Sequence, residues 1–403
     1  MVGIARTVLR NATVIDGTGA GGAPADVVIE DDKIVEVGPG LDGDGDVDLS
    51  GKWLLPGLID CHVHEMFSTI NLVEALQIPF SLNFFLAAQN LEATLKAGFT
   101  YVRDAGGTDL GVKRAVELGL IKGPRMKISI SILTQTGGHG DRHFPCGMSV
   151  PFFQSHPGRP ETIADGPEDV IKKVREVVRA GADVIKICTT GGVLSPEDDP
   201  EASQFLPDEI EAIVSEARAS GREVMSHAQG AAGIKNAVKA GVRSIEHGVF
   251  LDDEAIEMMI DSGTFLVPTL IAPHAVLEDA RGIPEASLRK SREVLGTHAD
   301  SIKRAHEAGV KIAMGTDAGV FAHGRNAEEL IHMTDIGMSP MATIESTTRI
   351  AAENLGIGET TGTIEPGKDA DLIALNGDPI ADIKVFGDPS NVTDVWKLGR
   401  LVE

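Results

Sequence analysis

The stretch Leu54-Leu-Pro-Gly-Leu-Ile-Asp-Cys-His-Val-His64 reads as a buried strand that ends in a His-x-His pair. Because side chains alternate along a strand, His62 and His64 fall on one face. Two imidazoles on one face at the end of a strand can bind one transition metal together. Four further residues of metal-binding or catalytic type stand where later apolar runs stop: Lys186, His227, His247 and Asp317. This recurrence predicts that the six side chains meet at one site.

From residue 57 the chain alternates between strand-like and helix-like runs. The strand candidates are residues 57–64, 100–104, 126–132, 184–188, 223–227, 243–247, 264–268 and 311–316. Six helix-like runs between them stop at an Ala-Gly or Ser-Gly pair, whose glycine can adopt the left-handed conformation that ends a helix. Eight strand–helix units predict an α/β fold, a (β/α)8 TIM-like barrel. A doubly wound open sheet is the alternative, but it gives no reason for ligand-type residues at so many strand ends.

The two ends of the chain carry a different pattern. Residues 5–47 and the region after Asn354 show short β-branched runs separated by turn residues, which is typical of short strands. Gly17, Gly19 and Gly22 match G-x-G-x-x-G, but a strand-like run follows where a dinucleotide site needs a helix. We therefore predict a small β-sandwich domain built from residues 1–56 and 358–403, with the barrel of residues 57–357 inserted between them.

The composition is that of a globular protein with an acidic surface. The 403 residues include 42% hydrophobic types and carry a formal net charge of −24, which argues against binding to nucleic acid or to an anionic membrane. Three scattered cysteines do not make a disulfide framework. No apolar run is long enough to span a bilayer, and no secretion-signal pattern opens the sequence. These features predict a cytoplasmic protein that binds neither nucleic acid nor membrane.

Lys186 is an unusual residue for its position. It lies within Val-Ile-Lys-Ile-Cys, where a buried ammonium is costly unless its charge is removed or paired. Reaction with carbon dioxide would turn it into a carbamate, an anionic ligand with two oxygens that can bridge two cations. A salt bridge to Asp104 is the alternative.

The motifs at these positions, taken together, resemble those of the amidohydrolase superfamily. They are Gly-Leu-Ile-Asp-Cys-His-Val-His, Val-Ile-Lys-Ile, Ser-His-Ala-Gln-Gly, Ile-Glu-His-Gly, Gly-Thr-Asp-Ala and Gly-Thr-Ile-Glu-Pro-Gly-Lys-Asp-Ala-Asp-Leu. The resemblance covers essentially the whole chain. Residues 136–141, 163–166 and 190–196 are similar to loops of its prolidase-like group, the Xaa-Arg/Lys metallo-dipeptidases and carboxypeptidases.

This resemblance implies a centre of two divalent metal ions, zinc being the expected metal. His62, His64 and Asp317 would hold one ion, and His227 and His247 the other. Lys186, carboxylated at N6 by carbon dioxide, and a hydroxide would bridge both ions. The resemblance also implies a homo-oligomer.

The same resemblance implies roles in catalysis and substrate binding. Asp317 would take the proton of the attacking hydroxide and pass it to the leaving nitrogen, and His139 would contact the substrate carbonyl or carboxylate. Gln229 departs from the pattern, because many relatives carry a tyrosine there that can bind a carboxylate. The long loop of residues 134–168 adds Arg142 and His143 as substrate-binding candidates, and the loop after Asp317 adds His323.

The leading prediction for function is hydrolysis of an amide bond in a dipeptide or an N-acyl amino acid. An imidazolonepropionase-like opening of a cyclic amide, or hydrolysis of a lactone, is an alternative with the same centre. A mononuclear deaminase would leave Lys186 without a task. A non-catalytic scaffold would be expected to lack ligands, yet every expected ligand type is present.

Overall fold

The computed structural model describes residues 6–144, 146–195 and 197–403. The start of the predicted domain of residues 1–56 and the last residue of the 190–196 motif lie outside the described residues. The strands are β1 (Arg6–Val14), β2 (Ala23–Glu30), β3 (Lys33–Gly38), β4 (Gly45–Asp48), β5 (Lys52–Pro56), β6 (Leu58–Val63), β7 (Phe99–Asp104), β8 (Arg125–Ile128), β9 (Ile132–Leu133), β10 (Val184–Cys188), β11 (Glu223–Gly230), β12 (Ser244–Phe250), β13 (Phe265–Val267), β14 (Leu372–Asn376), β15 (Val392–Lys397) and β16 (Arg400–Leu401). The α-helices are α1 (Leu72–Gln77), α2 (Leu82–Lys96), α3 (Leu110–Glu117), α4 (Pro167–Ala180), α5 (Pro207–Ala219), α6 (Ala231–Ala240), α7 (Asp253–Ser262), α8 (Ile271–Glu278), α9 (Glu285–Ala308), α10 (Glu328–Asp335), α11 (Pro340–Ser346) and α12 (Arg349–Asn354).

Both ends of the chain pair into one mixed sheet of eight strands. Its order is β16-β15-β14-β5-β1-β2-β3, with β4 paired to β1. The ends are joined by antiparallel pairing of β14 with β5, in which Ile373 lies opposite Leu55. A separate apolar core belongs to this unit and includes Leu9, Leu54 and Trp396. The β-sandwich form and the boundaries at residues 56/57 and 357/358 stay predictions.

The middle of the chain forms two parallel sheets with helices between consecutive strands. One sheet has the order β6-β7-β8 and the other the order β13-β12-β11-β10-β9. Residues 311–317 lie between β13 and β6, because the Leu266 N–H donates to the Lys311 carbonyl and the Cys61 N–H to the Met314 carbonyl, both at 2.9 Å. At the opposite side of the two sheets, the Asp183 N–H, just before β10, donates to the carbonyl of Ile128 at the end of β8, at 2.8 Å. This alternation of strand and helix confirms the predicted α/β class.

Two predicted strands differ from the observed backbone. The run 126–132 is split into β8 and β9, because Ile130 has a positive φ of 67° that interrupts the extended backbone. The run 311–316 makes an isolated parallel bridge at Ile312 but no regular strand. The Thr316 N–H donates to the Asp60 carboxylate at 3.2 Å, so the ladder is irregular as the segment approaches the site.

The predicted helix ends are confirmed. Gly181, Gly241, Gly263 and Gly309 follow α4, α6, α7 and α9 in the left-handed conformation, which lets the chain reverse directly toward the next strand. The helix α4 buries Val170, Val174 and Val177, one turn apart, and exposes its charged face.

The glycine-rich stretch near the start of the chain is a turn, as predicted. It connects β1 to β2, and a strand rather than a helix follows it. Among the described helices, we find none with the length and apolar character that crossing a membrane requires.

Candidate metal centre

His62 and His64 stand at the carboxyl end of β6 with their outer nitrogens turned toward Asp317. The Nδ1 atom of His62 lies 2.7 Å from Glu246 Oε2, and that of His64 lies 2.8 Å from the Gly106 carbonyl oxygen. The two Nε2 atoms lie 3.5 Å and 3.2 Å from Asp317 Oδ1. One ligand atom from each of these three residues lies within 4.8 Å of the others. The first predicted ligand group is therefore assembled in space.

The ring of His62 is held by a buried ion pair. Glu246, on β12, is fully buried and also binds Arg103 Nη2 at 2.9 Å and Ser244 Oγ at 2.5 Å. Arg103 in turn donates to the Cys61 carbonyl at 2.7 Å. A carboxylate behind the Nδ1 of a ligand histidine fixes its tautomer and raises the basicity of Nε2.

His227 and His247 form a second imidazole pair beside the first. His227 Nε2 lies 3.0 Å from the Gly191 carbonyl oxygen, and His247 Nδ1 lies 2.7 Å from Thr269 Oγ1. The nitrogens left over are therefore Nδ1 of His227 and Nε2 of His247. The two rings are 4.6 Å apart, and His247 is 5.1 Å from the ring of His62.

The backbone is strained at two of these positions. His247 and Asp317 have positive φ angles of 73° and 64°, a region that residues with a side chain rarely occupy. Strain of this kind persists where the surrounding structure enforces it, and it clusters at functional sites.

Lys186 lies on β10, which pairs with β9 on one side and with β11, the strand of His227, on the other. Its side chain is 2% exposed, and none of the ion pairs among the described residues includes it. Burial lowers its pKa. The alternative salt bridge to Asp104 is not formed: Asp104 accepts hydrogen bonds from Thr108 Oγ1 at 2.6 Å and from the Glu65 N–H at 2.9 Å.

The protonation states suit metal binding. Burial lowers the pKa of His62, His227 and His247 well below the ordinary value, so each offers a lone pair on its outer nitrogen. Although burial acts in the opposite direction, the imidazoles of His62 and His64 lower the pKa of Asp317 to about 2. Although burial acts in the opposite direction, the hydrogen bond to Asp317 raises the pKa of His64. The neutral imidazoles of His62, His227 and His247 and the ionised carboxylate of Asp317 converge in a way that fits divalent transition metals.

His139 lies in the long loop after β9, directly over the second imidazole pair. Its ring stacks on His227, with 4.2 Å between centroids. Its Nδ1 lies 2.6 Å from Ser195 Oγ, and its backbone N–H donates to Gln204 Oε1 at 2.9 Å. Nε2 is thereby left for a substrate.

A buried lysine, Lys290, binds the loop that holds His139. The sequence did not predict this role. Lys290, on α9, is 6% exposed and donates to the carbonyl oxygens of Ser195 at 2.7 Å and Gly192 at 3.1 Å. Asp198 accepts from Ser195 Oγ at 2.5 Å and from Lys290 at 3.3 Å. Helical periodicity could have predicted its burial, because Lys290 lies one turn before Val294 on the buried face of α9.

The six predicted ligands line one cavity that is open to solvent. His139, Arg142 and Gln229 line it as well. His143 is exposed and bonds Ser149 Oγ at 2.8 Å, so the structure does not place it in the cavity. His323 also lies elsewhere, because its ring is buried between Glu65 and the Phe67 carbonyl oxygen.

A parallel α/β fold that gathers histidines, a lysine and an aspartate at the carboxyl ends of its strands defines the class of metal-dependent hydrolases. The model of the Amidohydrolase family matches residues 53–402, and the chain belongs to that family.

Individual relatives agree with this membership. The chain is 36% identical to ochratoxinase of Aspergillus niger, over 98% of this chain and 86% of that protein. It is similar to the structure of a Xaa-Pro dipeptidase with bound methionine, with 38% identity, a TM-score of 0.91, and 99% and 100% of the two chains covered. A prolidase complexed with N-methylphosphonate-L-proline gives 37% identity and a TM-score of 0.92 over 99% of each chain. The protein is therefore a hydrolase that acts on carbon–nitrogen bonds of the amide type.

Proposed function

We propose that the protein is a binuclear metal-dependent hydrolase that cleaves the amide bond of a dipeptide or an N-acyl amino acid. The observation that carries this proposal is the adjacency of the two imidazole pairs, with 5.1 Å between the rings of His62 and His247. Each histidine keeps one nitrogen toward the shared cavity while the protein holds the other. The relatives named ochratoxinase, Xaa-Pro dipeptidase and prolidase support this reaction type.

The ligands divide into two groups in this proposal. His62 Nε2, His64 Nε2 and Asp317 would hold one divalent ion, and His227 Nδ1 and His247 Nε2 the other. Lys186, carboxylated at N6, would contribute an oxygen to each. Its burial without an ion pair supports that role, because a buried lysine with a lowered pKa is the nucleophilic amine that carbon dioxide requires. Two divalent ions, zinc being the expected metal, supply the Lewis acidity that activates water and polarises a carbonyl.

Asp317 moves the proton in the reaction that we propose. Its Oδ1 faces the two imidazoles of β6, so Oδ2 is the oxygen left to accept the proton of the attacking water. The same atom then delivers that proton to the leaving nitrogen. A pKa of about 2 keeps Asp317 ionised, and therefore able to accept a proton, throughout the neutral range.

His139 orients the scissile bond. Because the Ser195 hydroxyl donates to Asp198, Nδ1 of His139 is the donor to Ser195 Oγ. In the doubly protonated ring, whose charge Asp198 at 3.5 Å would balance, Nε2 donates a hydrogen bond to the carbonyl oxygen on which negative charge develops. The stack on His227 keeps the ring over the second ligand group. Apolar side chains that include Phe67, Phe152 and Val276 line the cavity around these groups.

We also propose that the two parallel sheets and residues 311–317 form one eight-unit barrel of residues 57–357, with residues 1–56 and 358–403 as the companion domain. The backbone bonds that flank β6 and β13 support a closed arrangement. A cytoplasmic location and a homo-oligomeric state stay predictions.

The experiment is an assay of the zinc-loaded protein, prepared with bicarbonate, against a library of dipeptides and N-acyl amino acids. Release of the free amino acid from members of this library is the expected result. Turnover confined to cyclic amides or lactones would replace the proposal with its alternative, and ammonia release from nucleobases would favour a deaminase.

A further inference from the structure

The cavity contains one carboxylate among the described residues that line it. That carboxylate is Asp317, whose Oδ1 faces His62 and His64. Asp198 is the next acid, but it lies behind His139 and already binds Ser195 and Lys290. A dipeptide brings a free α-ammonium, which needs an anionic or strongly accepting partner once it is desolvated. The cavity walls have no acid to spare for that group.

The cavity wall does contain a positively charged side chain without an anionic partner among the described residues. Arg142, in the loop between β9 and α4, lines the cavity, and its guanidinium lies over the Phe152 ring at 4.0 Å. Within the part of the chain that the structure describes, no ion pair involves Arg142, and burial lowers its pKa to about 10. This is unusual in a chain with 60 acidic and 36 basic residues.

A second arginine in the same loop shows what a structural role looks like. Arg159 lies near the Phe153 ring, but its guanidinium donates to the carbonyl oxygens of Gln154, at 2.7 Å, and Gly107. The Arg142 guanidinium makes no such hydrogen bond within residues 6–144, 146–195 and 197–403. A guanidinium that is partly desolvated, flat against an aromatic ring and free of protein anions is suited to a planar carboxylate from a ligand.

A further polar group of the cavity wall, Gln229, carries no charge. Gln229 is 5% exposed, and its Oε1 has no hydrogen-bond partner among the described residues. Its amide can accept or donate one hydrogen bond from a substrate but cannot neutralise an ammonium. The other walls are apolar and include Val249, Val276 and Val294, which suits an uncharged acyl or side-chain group.

We infer that the substrate is an N-acyl amino acid that lacks a free ammonium and whose carboxylate binds Arg142. This inference rests on the proposed amide hydrolysis and chooses between its two substrate classes. The ring of Phe152 lies 6.5 Å from that of His139, so a carboxylate on Arg142 and a carbonyl at His139 can belong to one amino-acid residue and its amide bond. Arg142 then takes over the carboxylate recognition that the tyrosine expected at position 229 does not supply here.

The test compares three substrates of nearly the same shape with the zinc-loaded protein. They are N-propionyl-L-phenylalanine, its carboxamide, and L-alanyl-L-phenylalanine, which adds only the α-ammonium to the first. The expected kcat/KM for propionylphenylalanine exceeds that for the carboxamide and for the dipeptide by about 10- to 100-fold each, because one charged contact is lost or one charge is left unpaired.

The variant Arg142→Met tests the residue itself. It is expected to lower kcat/KM for propionylphenylalanine by about 10- to 100-fold, while the carboxamide, which has no charge to lose, changes by less than about 3-fold. Arg142→Lys keeps the charge without the planar fork and is expected to lie between wild type and Arg142→Met. Metal content and melting temperature, measured for each variant, identify any loss of folding.

The outcomes separate this inference from the proposed function. Equal or faster cleavage of alanylphenylalanine, or an equal loss for carboxylate and carboxamide in Arg142→Met, would overturn the inference and leave amide hydrolysis standing. If metal-loaded wild type cleaves none of the three substrates or the wider amide library, the proposed function itself fails.

Discussion

The imidazole of His139 stacks on that of His227 with an interplanar angle of 12°. The stack joins the loop after β9 to the end of β11, so a residue outside the ligand set is held over it. We expect His139→Ala to raise KM and to lower kcat/KM by about 10- to 100-fold, because a hydrogen bond to the substrate carbonyl is lost in the ground state as well as in the transition state. Metal content should not change. Wild-type kinetics in this variant would remove His139 from the site.

The position of His139 depends on a glycine. A Cβ added at Gly192 would collide with the His139 ring, whereas one at Gly296, in the exposed part of α9, would meet nothing within 4 Å. Gly192→Ala should therefore displace the ring and reproduce most of the kinetic defect of His139→Ala. Gly296→Ala is the matched control, and it should leave kcat/KM within about 2-fold while stabilising the helix slightly. Equal effects of the two substitutions on kcat/KM would contradict the claim that close packing against Gly192 positions the His139 ring.

Lys290 should matter for both stability and positioning. Removing its ammonium in Lys290→Met leaves Asp198 buried without its cation, which we expect to cost about 3 kcal/mol in the free energy of unfolding. The loop of residues 191–198 would then no longer orient His139, so KM should rise. Lys303→Met is the control, because Lys303 is an exposed lysine of the same helix, and such substitutions stay within about 0.5 kcal/mol. Denaturant titration of both variants checks this, and similar midpoints would contradict it.

Asp198 gives the network a defined dependence on pH. Although burial acts to raise it, hydrogen bonding to His139 lowers the pKa of Asp198 below its usual range, with help from Lys290. A carboxyl with a lowered pKa in the folded state adds stability that is complete above its unfolded value of about 3.9 and is lost as the pH falls below that value. The difference in the free energy of unfolding between wild type and Asp198→Asn should therefore be full at pH 6 and shrink below about pH 4. A difference that is constant or that grows at low pH would exclude this account.

Lys186 is expected to be indispensable to the metal centre. Lys186→Ala should lose most bound metal and nearly all turnover, because the neighbouring carboxylates are already engaged: Asp317 faces His62 and His64, and Glu246 binds His62 and Arg103. Lys186→Glu restores an anionic oxygen at the same position and should retain a share of the metal. In wild type, protein prepared with 13C-labelled bicarbonate should show one carbamate carbon per chain by NMR. Full activity of Lys186→Ala would end the carbamate proposal.

The strand ends and the positions of the candidate ligands could be predicted from the sequence because both are local. An apolar run that ends in a metal-ligand residue is readable without knowing its neighbours, and parallel strands bring their carboxyl ends together. The features that the sequence did not predict depend on contacts between segments that are distant in the chain. The break at Ile130, the pairing of Lys290 with the loop of residues 191–198, and the burial of His323 against Glu65 all depend on where another part of the chain lies.

The central claim is that six side chains converge on two cations, and the number of metal ions bound per chain tests it most directly. Metal-free protein titrated with zinc in the presence of bicarbonate should bind two ions per chain tightly, and amide hydrolysis should reach its plateau at the second ion. Saturation at one ion or none, with the protein folded, would contradict the account.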